Sequence, residues 1–572
     1  ALALSAVFFL SACNGGSESP ETGDSTTTTT TTEQGDTDAP DDEDTETPDD
    51  TDAPDDESED EEPSGDDNGV ITSTDFEHTF PIVDETVTFT AVSANEDTTT
   101  GKWNEYWEDA TNVHIDWTYW PATDFDTHYA TTMAGDLLPN LFFLSGRDKA
   151  SAYDAGDAGT FIDYRDYLEY RPYMLEMMEE FPEAWPAVQN LDGSIYGLPH
   201  IYMTLTAAPG TIYYRTDMME EAGLEIPTTT DEFLQFVDDV QAYFGEDNDD
   251  FTAFQVWSAG HMSFIEYFFF PAFGEHIDPG FAVNDANEVI YNFTSEQYRL
   301  FLEFANALYE SDGFDKNIYT EDGTGSRARM LENNAMLSTY ATIYSLDNFA
   351  SGEYDVDLLA PVTSEHNSVQ QYKTPDVVRY GFMHISSDTE DIETLVKWLD
   401  TLYAKRENEI ADGIWSISPW LGKEGVDWEY TDEEQGFYHI TPPHDWTESP
   451  TAYLRTIGGQ NGVGYGYFDG LNTENHGLRV KGEGTRDNLL PYGRAGYPAS
   501  YLNFTPEETR TLSEINPDIT NHVDTEKAKF ITGQRDLSEF DTFVNELERM
   551  GLEELLGVHQ AAYDRYVETY GG

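Results

Sequence analysis

The 572-residue sequence predicts an α/β protein with two lobes and a helical C-terminal segment. Strand-like runs VTFTAV (87–92), NVHIDWTYW (112–120) and LFFL (141–144) alternate with helix-like runs KWNEYWEDA (102–110) and DFDTHYATTMAGD (124–136). Strands separated by helices of about ten residues are typical of parallel β-α-β units. In such sheets, ligands bind in the loops that follow the carboxyl ends of the strands.

A second group of strands and helices follows the first. Residues 211–240 predict strand, helix, loop and helix, with Asp231 and Glu232 suited to a helix N-terminus and no capping box between Thr230 and Phe233. About 500 residues remain beyond the N-terminal tract, which is enough for two cores. Further helices are predicted at 293–313 and 391–404, a strand at 379–386, and two amphipathic helices on either side of Gly551.

The N-terminus contains the single cysteine of the chain, Cys13. Residues 1–12 are apolar except for Ser5 and Ser11, a run too short for a membrane-spanning helix but typical of a signal-peptide core. No cationic segment precedes this run, so we expect the chain to continue upstream. LSAC (10–13) resembles a lipobox, which predicts that Cys13 is acylated and anchors the protein to the membrane; the alternative is an unmodified free cysteine.

Residues 14–69 contain no Lys, Arg or aromatic residue, a run of seven threonines (26–32), and repeats of Asp, Glu, Pro and Thr. Such a tract cannot bury enough apolar surface to offset the entropy lost on ordering, and its charges repel one another. We therefore predict a disordered, extended linker that holds the rest of the chain away from the membrane.

The whole chain has a formal net charge of −86, from 113 acidic and 27 basic residues. Because residues 14–69 contain 23 of the acidic residues and no basic one, the rest of the chain contains 90 acidic and 27 basic residues. At this density, repulsion among the carboxylates destabilises the folded chain unless dissolved ions screen it. The composition therefore favours a saline habitat. An acidic surface for one cationic partner is the alternative, and nucleic acid is not expected as a ligand.

Four segments resemble a known family: MAGDLLPN (133–140), DGSIYGLP (192–199), IYYRTDMMEEAGLEIPTTTDEF (212–233) and ITGQRDLSEFDTFVNELERMGLEELLGVHQAAYDRY (531–566). They are similar to the LplA-like branch of extracellular solute-binding protein family 1, the lipoprotein substrate-binding proteins of carbohydrate ABC transporters. The C-terminal segment is the most specific, because no general folding rule requires GQRD or QAAYDRY.

The resemblance implies a two-lobed, periplasmic-binding-protein-like fold of type 2 with a hinge between the lobes, where the chain crosses near 199–210 and returns near 375–381. The expected domains are a signal peptide and lipobox (1–13), a disordered linker (14–75), lobe 1 (76–205), lobe 2 (206–375), a return to lobe 1 (376–412) and a C-terminal segment packing on both lobes (413–572).

A sugar site needs flat aromatic rings for stacking and a few polar side chains for oriented hydrogen bonds. Aromatic residues in Gly-, Ser- or Pro-rich loops are therefore the main candidates, with core packing as the alternative for each. These are Trp257, Tyr340, Tyr344, Trp415 and Trp420. The resemblance favours Tyr340 or Tyr344 for stacking from the second lobe.

Polar candidates are residues near the predicted crossing or in loops after strands and helices: His200, Tyr202, Asp136 and Asn95. Asp and Asn in loops also make local turns, which is the alternative for the last two. Arg215 is expected to pair with Asp217 rather than with a ligand.

No metal site and no cofactor are predicted. Many relatives in the family have a calcium loop after the helix corresponding to 232–244, but GEDNDD (245–250) lacks the ligand spacing and the glycine of such a loop, so calcium is doubtful here.

The sequence predicts a binding protein rather than an enzyme, since it contains no G-x-S-x-G, no H-E-x-x-H and no P-loop. We expect a monomeric, lipid-anchored receptor on the outer face of the cell membrane that captures an oligosaccharide for an ABC permease. A secreted glycosidase-like enzyme stays open, because its two carboxylates need no sequence motif. A peptide-binding receptor of the same architecture also stays open.

Overall fold

The computed structural model describes residues 71–121, 123–135, 137–143, 149–201, 210–321, 323–340, 343, 346–381, 383–432, 437–444, 450–458, 471–472 and 475–571. The predicted signal peptide, the anchor Cys13 and the linker up to residue 70 lie outside these residues. None of the helices in the described part combines the length and apolarity needed to cross a bilayer.

The first group of strands and helices lies between residues 87 and 201. They are β1 (Val87–Ser93), α1 (Glu96–Thr100), α2 (Trp103–Thr111), β2 (Val113–Tyr119), α3 (Phe125–Met133), β3 (Leu141–Phe143), α4 (Lys149–Asp157), α5 (Pro172–Glu180), α6 (Ala184–Val188) and β4 (Pro199–Ile201). The next group is β5 (Tyr213–Arg215), α7 (Thr216–Ala222), α8 (Thr230–Phe244), β6 (Thr252–Gln255), α9 (Met262–Phe269), β7 (Phe281–Val283), β8 (Val289–Tyr291), α10 (Glu296–Glu310), α11 (Thr324–Leu331), β9 (Ala335–Ser338), α12 (Asp347–Ala350), β10 (Val356–Leu358) and β11 (Tyr372–Lys373).

The remaining elements are β12 (Val378–Tyr380), β13 (His384–Ile385), α13 (Ile392–Asp400), α14 (Ser418–Leu421), β14 (Trp428–Asp432), β15 (Phe437–Ile440), α15 (Pro450–Ile457), β16 (Leu471–Asn472), α16 (His476–Gly484), β17 (Gly493–Arg494), α17 (Pro506–Ile531), α18 (Phe540–Arg549) and α19 (Leu552–Tyr570). Short 3₁₀ turns connect several of them, and a π-helical turn at Thr485–Leu489 extends α16.

The predicted β-α-β units form a four-stranded sheet of order β13-β3-β1-β2. Strand β1 pairs in parallel with both β2 and β3, with Ala91 opposite Trp117 and Leu141, while β13 is antiparallel to β3. All three residues of β3 are fully buried, which explains their uninterrupted apolar sequence, because a strand inside a covered parallel sheet is buried on both faces.

A second sheet has the order β10-β5-β9-β6. Strands β6 and β9 are parallel, with Phe254 opposite Leu337 and Gln255 opposite Ser338, whereas β5 is antiparallel to both β9 and β10. Helix α8 packs on β6 of this sheet and α10 packs on α8, and the two helices contribute Phe233, Phe236 and Phe301 to the same hydrophobic core.

The buried side chains form two large hydrophobic cores. Residues 89–201 and 378–457 contribute to the first core, and residues 212–372 and 480–555 contribute to the second. The chain therefore changes core between 201 and 212, between 372 and 378, and again between 457 and 480. The sequence resemblance implied only the first two changes.

The first two changes of core occur beside a short antiparallel ribbon of β4 and β12. Two glycines beside the ribbon are closely packed: a Cβ on Gly381 would lie 2.3 Å from the backbone carbonyl oxygen of Leu198, and a Cβ on Gly197 would lie 2.3 Å from the side-chain hydroxyl of Tyr380. The Gly381 amide also donates to the Leu198 carbonyl, at 2.7 Å. Glycine is therefore required at both positions for steric reasons.

The C-terminal helices pack on the second core and also contact the first. In α17, Lys527 contacts the buried carboxylate of Glu266 at 3.2 Å, and the Tyr298 hydroxyl donates to the same carboxylate at 2.7 Å. On the other side, Asn503 and Tyr570 donate to the backbone carbonyl and side-chain oxygen of Gln189, at 3.0 and 2.9 Å.

Two local expectations are confirmed. Asp231 and Glu232 lie in the first turn of α8, whose capping box joins Thr229 to Glu232 and not Thr230 to Phe233. Arg215 does form a bidentate pair with Asp217, at 2.7 and 2.5 Å.

Replacement of Gly381 by alanine is expected to destabilise the protein by roughly 1–3 kcal/mol, since the new methyl group would collide with backbone rather than with a flexible side chain. Gly557→Ala in α19 is the matched control, because no atom lies within 4 Å of the added Cβ. Alanine there should stabilise the helix by about 0.5–1 kcal/mol. Thermal unfolding measures both changes, and equal effects at the two positions would contradict the close approach at the crossing strands.

Candidate functional site

The candidate site in the second lobe begins at the carboxyl ends of β6 and β9. Because the two strands are parallel and Gln255 lies opposite Ser338, residues two positions further along each chain meet at the same edge of the sheet. These residues are Trp257 and Tyr340, both predicted from the sequence. Their rings stack with centroids 3.7 Å apart and an interplanar angle of 18°.

The loop that carries Trp257 is held in place by hydrogen bonds to the neighbouring strand end. The Trp257 amide donates to the Thr339 hydroxyl at 3.1 Å, and His261 Nδ1 bonds the Thr339 carbonyl at 3.0 Å. Burial lowers the pKa of His261, so the neutral imidazole is favoured, with its proton on Nδ1 facing the carbonyl. The aromatic pair is therefore fixed before any ligand arrives.

Tyr340 and Trp257 have different exposures. Tyr340 is only 5% exposed and belongs to the second core, whereas Trp257 is half-buried and packs on that core from outside. Tyr340 thus supports Trp257, and the exposed part of the indole is the surface that a sugar ring can contact.

Gly323 closes the site on the side of α11. It has φ +91°, in the left-handed region, and an added Cβ would lie 2.8 Å from the Trp257 ring. Both the backbone conformation and the space require glycine. Helix α11 begins at the next residue, and its Ser326 hydroxyl donates to the Val256 carbonyl at 3.0 Å.

Helix α11 also carries two arginines with different surroundings. Arg329 contacts Asp315 at 2.5 Å and Glu321 at 3.3 Å. Arg327 is exposed, and its Nη1 donates to the Tyr340 hydroxyl at 3.3 Å. Arg327 was not predicted from the sequence, although a basic residue in so acidic a chain is a signal that could have identified it.

In the first lobe, two of the predicted residues have clear structural contacts. Trp415 is 5% exposed, lies in the first core and donates from Nε1 to Glu424 at 3.3 Å. Asn95 caps α1 by accepting a hydrogen bond from the Thr98 amide at 2.9 Å. Ligand contact by either residue stays a prediction from the sequence.

Trp420 and His200 are more accessible. Trp420 is half-buried against the first core, one position from the end of α14. His200 is half-buried on β4 and lies directly opposite the exposed Arg379 of β12. Arg379 was not identified from the sequence. Ligand contact by Trp420 and His200 also stays a prediction.

The remaining predicted residues, Tyr344, Tyr202 and Asp136, lie outside the described residues. The loop at 245–250, which was considered for calcium from the sequence, folds as a turn in which Asn248 accepts from the Asp250 amide at 3.1 Å and donates to Asn334 at 2.9 Å. Within the described ranges, no group of three His, Cys, Asp or Glu residues is arranged to hold a metal ion.

A cavity of about 150 Å³ on the second lobe is lined by Asp278, Arg494 and Tyr497 among others. Its buried carboxylate is already satisfied, because one oxygen of Asp278 pairs with Lys373 and the other accepts from the Tyr497 amide at 2.6 Å. These contacts join Asp278 to β11 and to the C-terminal segment.

Two cores separated by short crossing strands, with aromatic residues at the carboxyl ends of parallel strands, define a periplasmic-binding-protein-like solute-binding fold. No protein-family model matches the chain. A curated relative, the fructooligosaccharide ABC transporter substrate-binding protein FusA of Streptococcus pneumoniae serotype 4, is 22% identical over 476 residues, which are 80% of this chain and 86% of that protein.

Solved structures have the same fold. Streptococcus pneumoniae FusA in complex with kestose has a TM-score of 0.65 and 20% identity, covering 84% of this chain and 100% of that chain. The HMO-binding, ABC-transporter-associated solute-binding protein of Bifidobacterium longum infantis has a TM-score of 0.63 and 18% identity, over 84% and 99%. An extracellular solute-binding protein of Bifidobacterium longum subsp. infantis has a TM-score of 0.67 and 15% identity, over 85% and 99%.

These comparisons confirm the predicted fold and the resemblance to substrate-binding proteins of carbohydrate ABC transporters. They also favour a binding protein over an enzyme, since the matched proteins are named as substrate-binding components.

Gly323→Ala is expected to displace the Trp257 indole and to weaken ligand binding. Gly425→Ala is the matched control, because Gly425 also has a positive φ, +76°, but no atom lies within 4 Å of its added Cβ. Both variants incur the left-handed backbone penalty of roughly 1–2 kcal/mol, and only Gly323→Ala adds a collision with a ring. Thermal unfolding should show the larger loss for Gly323→Ala; equal losses would mean that the ring and the glycine are not in contact.

Proposed function

We propose that the protein captures an oligosaccharide outside the cell and delivers it to an ABC permease without altering it covalently. The observation that carries this proposal is the Trp257–Tyr340 stack at the carboxyl ends of β6 and β9. An aromatic ring held by its neighbours and partly exposed is suited to the weakly apolar face of a sugar, and it provides no group for cleaving a glycosidic bond.

The nature of the relatives supports the same class of ligand. The relatives are named for fructooligosaccharide, kestose and HMO, all of them oligosaccharides. The low identity leaves the particular sugar open, because side chains at the site differ between proteins that share a fold.

In this proposal, the ligand shifts an equilibrium between open and closed arrangements of the two lobes through its better contacts with the closed form. The short β4–β12 ribbon is the described segment about which the lobes would move. The closed, loaded form would be the one that a permease recognises.

The location of the protein is also part of the proposal. An acylated Cys13 would attach the chain to the outer face of the cell membrane, and the acidic linker would extend the monomeric binding protein from it. The acidic composition supports a saline surrounding, where screening reduces the repulsion among the charges.

Binding is tested by thermal denaturation of the full chain against panels of oligosaccharides and peptides, followed by product analysis. A ligand at 100 times its dissociation constant should stabilise the protein by about 2.7 kcal/mol. Recovery of the intact sugar is expected; new reducing ends would instead identify an enzyme, and stabilisation by peptides alone would identify a peptide receptor.

Trp257→Ala should weaken oligosaccharide binding at least tenfold, because it removes the exposed ring of the stack. Tyr243→Ala on α8 is the control, since Tyr243 is also exposed, at 51%, but lies on a helix rather than after a strand. Tyr340→Ala is less informative because Tyr340 is a core residue, and we expect that variant to lose stability as well. Unchanged affinity in Trp257→Ala would remove the stack from the site.

Dilution of salt should lower the melting temperature, because the Debye length grows from about 3 Å at 1 M to about 10 Å at 0.1 M and the carboxylates then repel one another more strongly. A variant with Glu246, Asp247, Asp249 and Asp250 changed to the corresponding amides is the control. These four residues are exposed and lie within one loop, so the melting temperature of the variant should fall less when the salt is diluted. A melting temperature independent of salt would contradict the saline habitat.

A further inference from the structure

Basic side chains in this protein are few and are mostly neutralised. Most of the described lysines and arginines lie within 4 Å of a carboxylate. In a chain with 113 acidic residues, this pairing is the expected outcome. A basic side chain that lacks a carboxylate partner is therefore informative.

Arg327 is such a residue. It lies two positions before Arg329 on α11, yet no carboxylate of the described chain is within 4 Å of it, while Arg329 contacts both Asp315 and Glu321. Its guanidinium instead bonds the Tyr340 hydroxyl, beside the aromatic stack. Asp315 and Glu321 thus neutralise Arg329, whereas Arg327, which bonds Tyr340, has no described carboxylate beside it.

Lys149 is a second such residue, in the first lobe. It begins α4, six residues after the carboxyl end of β3, and its Nζ donates to the Pro186 carbonyl of α6 at 2.7 Å. Burial lowers its pKa to about 7. Helix α6 packs against β4 and β12, so this amine is on the side of the first lobe where the chain crosses.

Arg379 is the third. It is the exposed residue of β12, between the buried Val378 and Tyr380, and it shares one face of the ribbon with His200. No ion pair of Arg379 is present among the residues that the structure describes. Arg327, Lys149 and Arg379 thus lie on the second lobe, on the first lobe and on the strands that join them. Among the other described basic residues, Lys316, Arg494 and Arg549 also lack a described carboxylate within 4 Å, so the position of each residue matters as well as its lack of an ion pair.

From the position of Arg327 beside the aromatic stack and of Arg379 on the crossing ribbon, we infer that the ligand is an acidic oligosaccharide whose carboxylate or sulfate groups contact these two arginines. The inference rests on the proposed function and specifies its substrate class. Neutral sugar hydroxyls are bound equally well by Asp and Asn, which this chain has in excess, and do not require an unpaired guanidinium. An anionic ligand needs such groups, because the rest of the protein repels it and an arginine fork matches a carboxylate or sulfate with two charged hydrogen bonds.

Arg549 provides the matched control. It is an exposed arginine on α18, and it too has no ion pair within the described ranges, but it lies in the C-terminal helices rather than after a strand or on the crossing ribbon. Arg549→Gln therefore removes the same charge as Arg327→Gln without touching the candidate site.

The experiment uses calorimetric titration of the full chain, at one fixed high salt concentration, with four probes of similar length. These are an oligouronate, its methyl ester, a sulfated oligosaccharide and a neutral fructooligosaccharide. The oligouronate or the sulfated sugar should bind at least tenfold more tightly than the methyl ester and the neutral sugar, and the tighter of the two identifies the anionic group. Arg327→Gln and Arg379→Gln should each weaken that binding at least tenfold, whereas Arg549→Gln should change it less than twofold.

The outcomes separate this inference from the proposed function. Tight binding of the neutral sugar or the methyl ester, with no preference for charge, would overturn the acidic ligand and leave an oligosaccharide receptor in place. Equal effects of Arg327→Gln and Arg549→Gln would overturn the assignment of Arg327. If none of the four sugars binds while peptides do, the proposed function itself is wrong.

Discussion

The parallel pairing of β6 and β9 is the constraint on which the candidate site depends. Parallel strands end at the same edge of a sheet, so residues at equal distances beyond Gln255 and Ser338 are brought together whatever their separation in sequence. Trp257 and Tyr340 are 83 residues apart and yet stack at 3.7 Å. Thr339, His261 and Gly323 contribute to the site only because this register places them around the two rings.

A second constraint comes from charge. A chain with four times as many acidic as basic residues gains little from surface ion pairs individually, but each pair reduces repulsion among its neighbours. Basic residues that remain outside such pairs are therefore informative. Arg327 and Arg379 are exposed residues of this kind: Arg327 bonds the Tyr340 hydroxyl beside the aromatic stack, and Arg379 lies on the crossing ribbon opposite His200.

Much of the fold could be predicted from the sequence because the local signals agree with the tertiary structure. The alternating runs between residues 87 and 144 became β1, α2, β2, α3 and β3 within a few residues, since each has the apolar pattern of its own element. The four family-like segments identified the same fold through their motifs. The third change of core, between 457 and 480, was missed because no hydrophobic period or turn signal distinguishes a segment that leaves one core from one that stays within it.

The site was only partly predictable for the same reason. Loop composition identified Trp257 and Tyr340, but it selected Trp415 equally, and that residue lies in the first core and bonds Glu424. Burial depends on contacts distant in sequence, which composition does not contain. Arg327 and Arg379 were missed because they stand out only in the folded chain. There, no carboxylate of the described residues lies within 4 Å of either guanidinium, and the sequence alone does not show this.

Closure of two lobes around a sugar is the central claim, and a distance between the lobes tests it most directly. Spin labels at Val426→Cys, beside the first core, and Tyr243→Cys, on α8, are both at exposed positions, and Cys13→Ser removes the only other thiol. Pulsed electron–electron double resonance should report a broad distribution of distances between the two spin labels. This distribution should shift to shorter distances when a binding oligosaccharide is added. A distribution that does not change at saturating ligand would contradict the account.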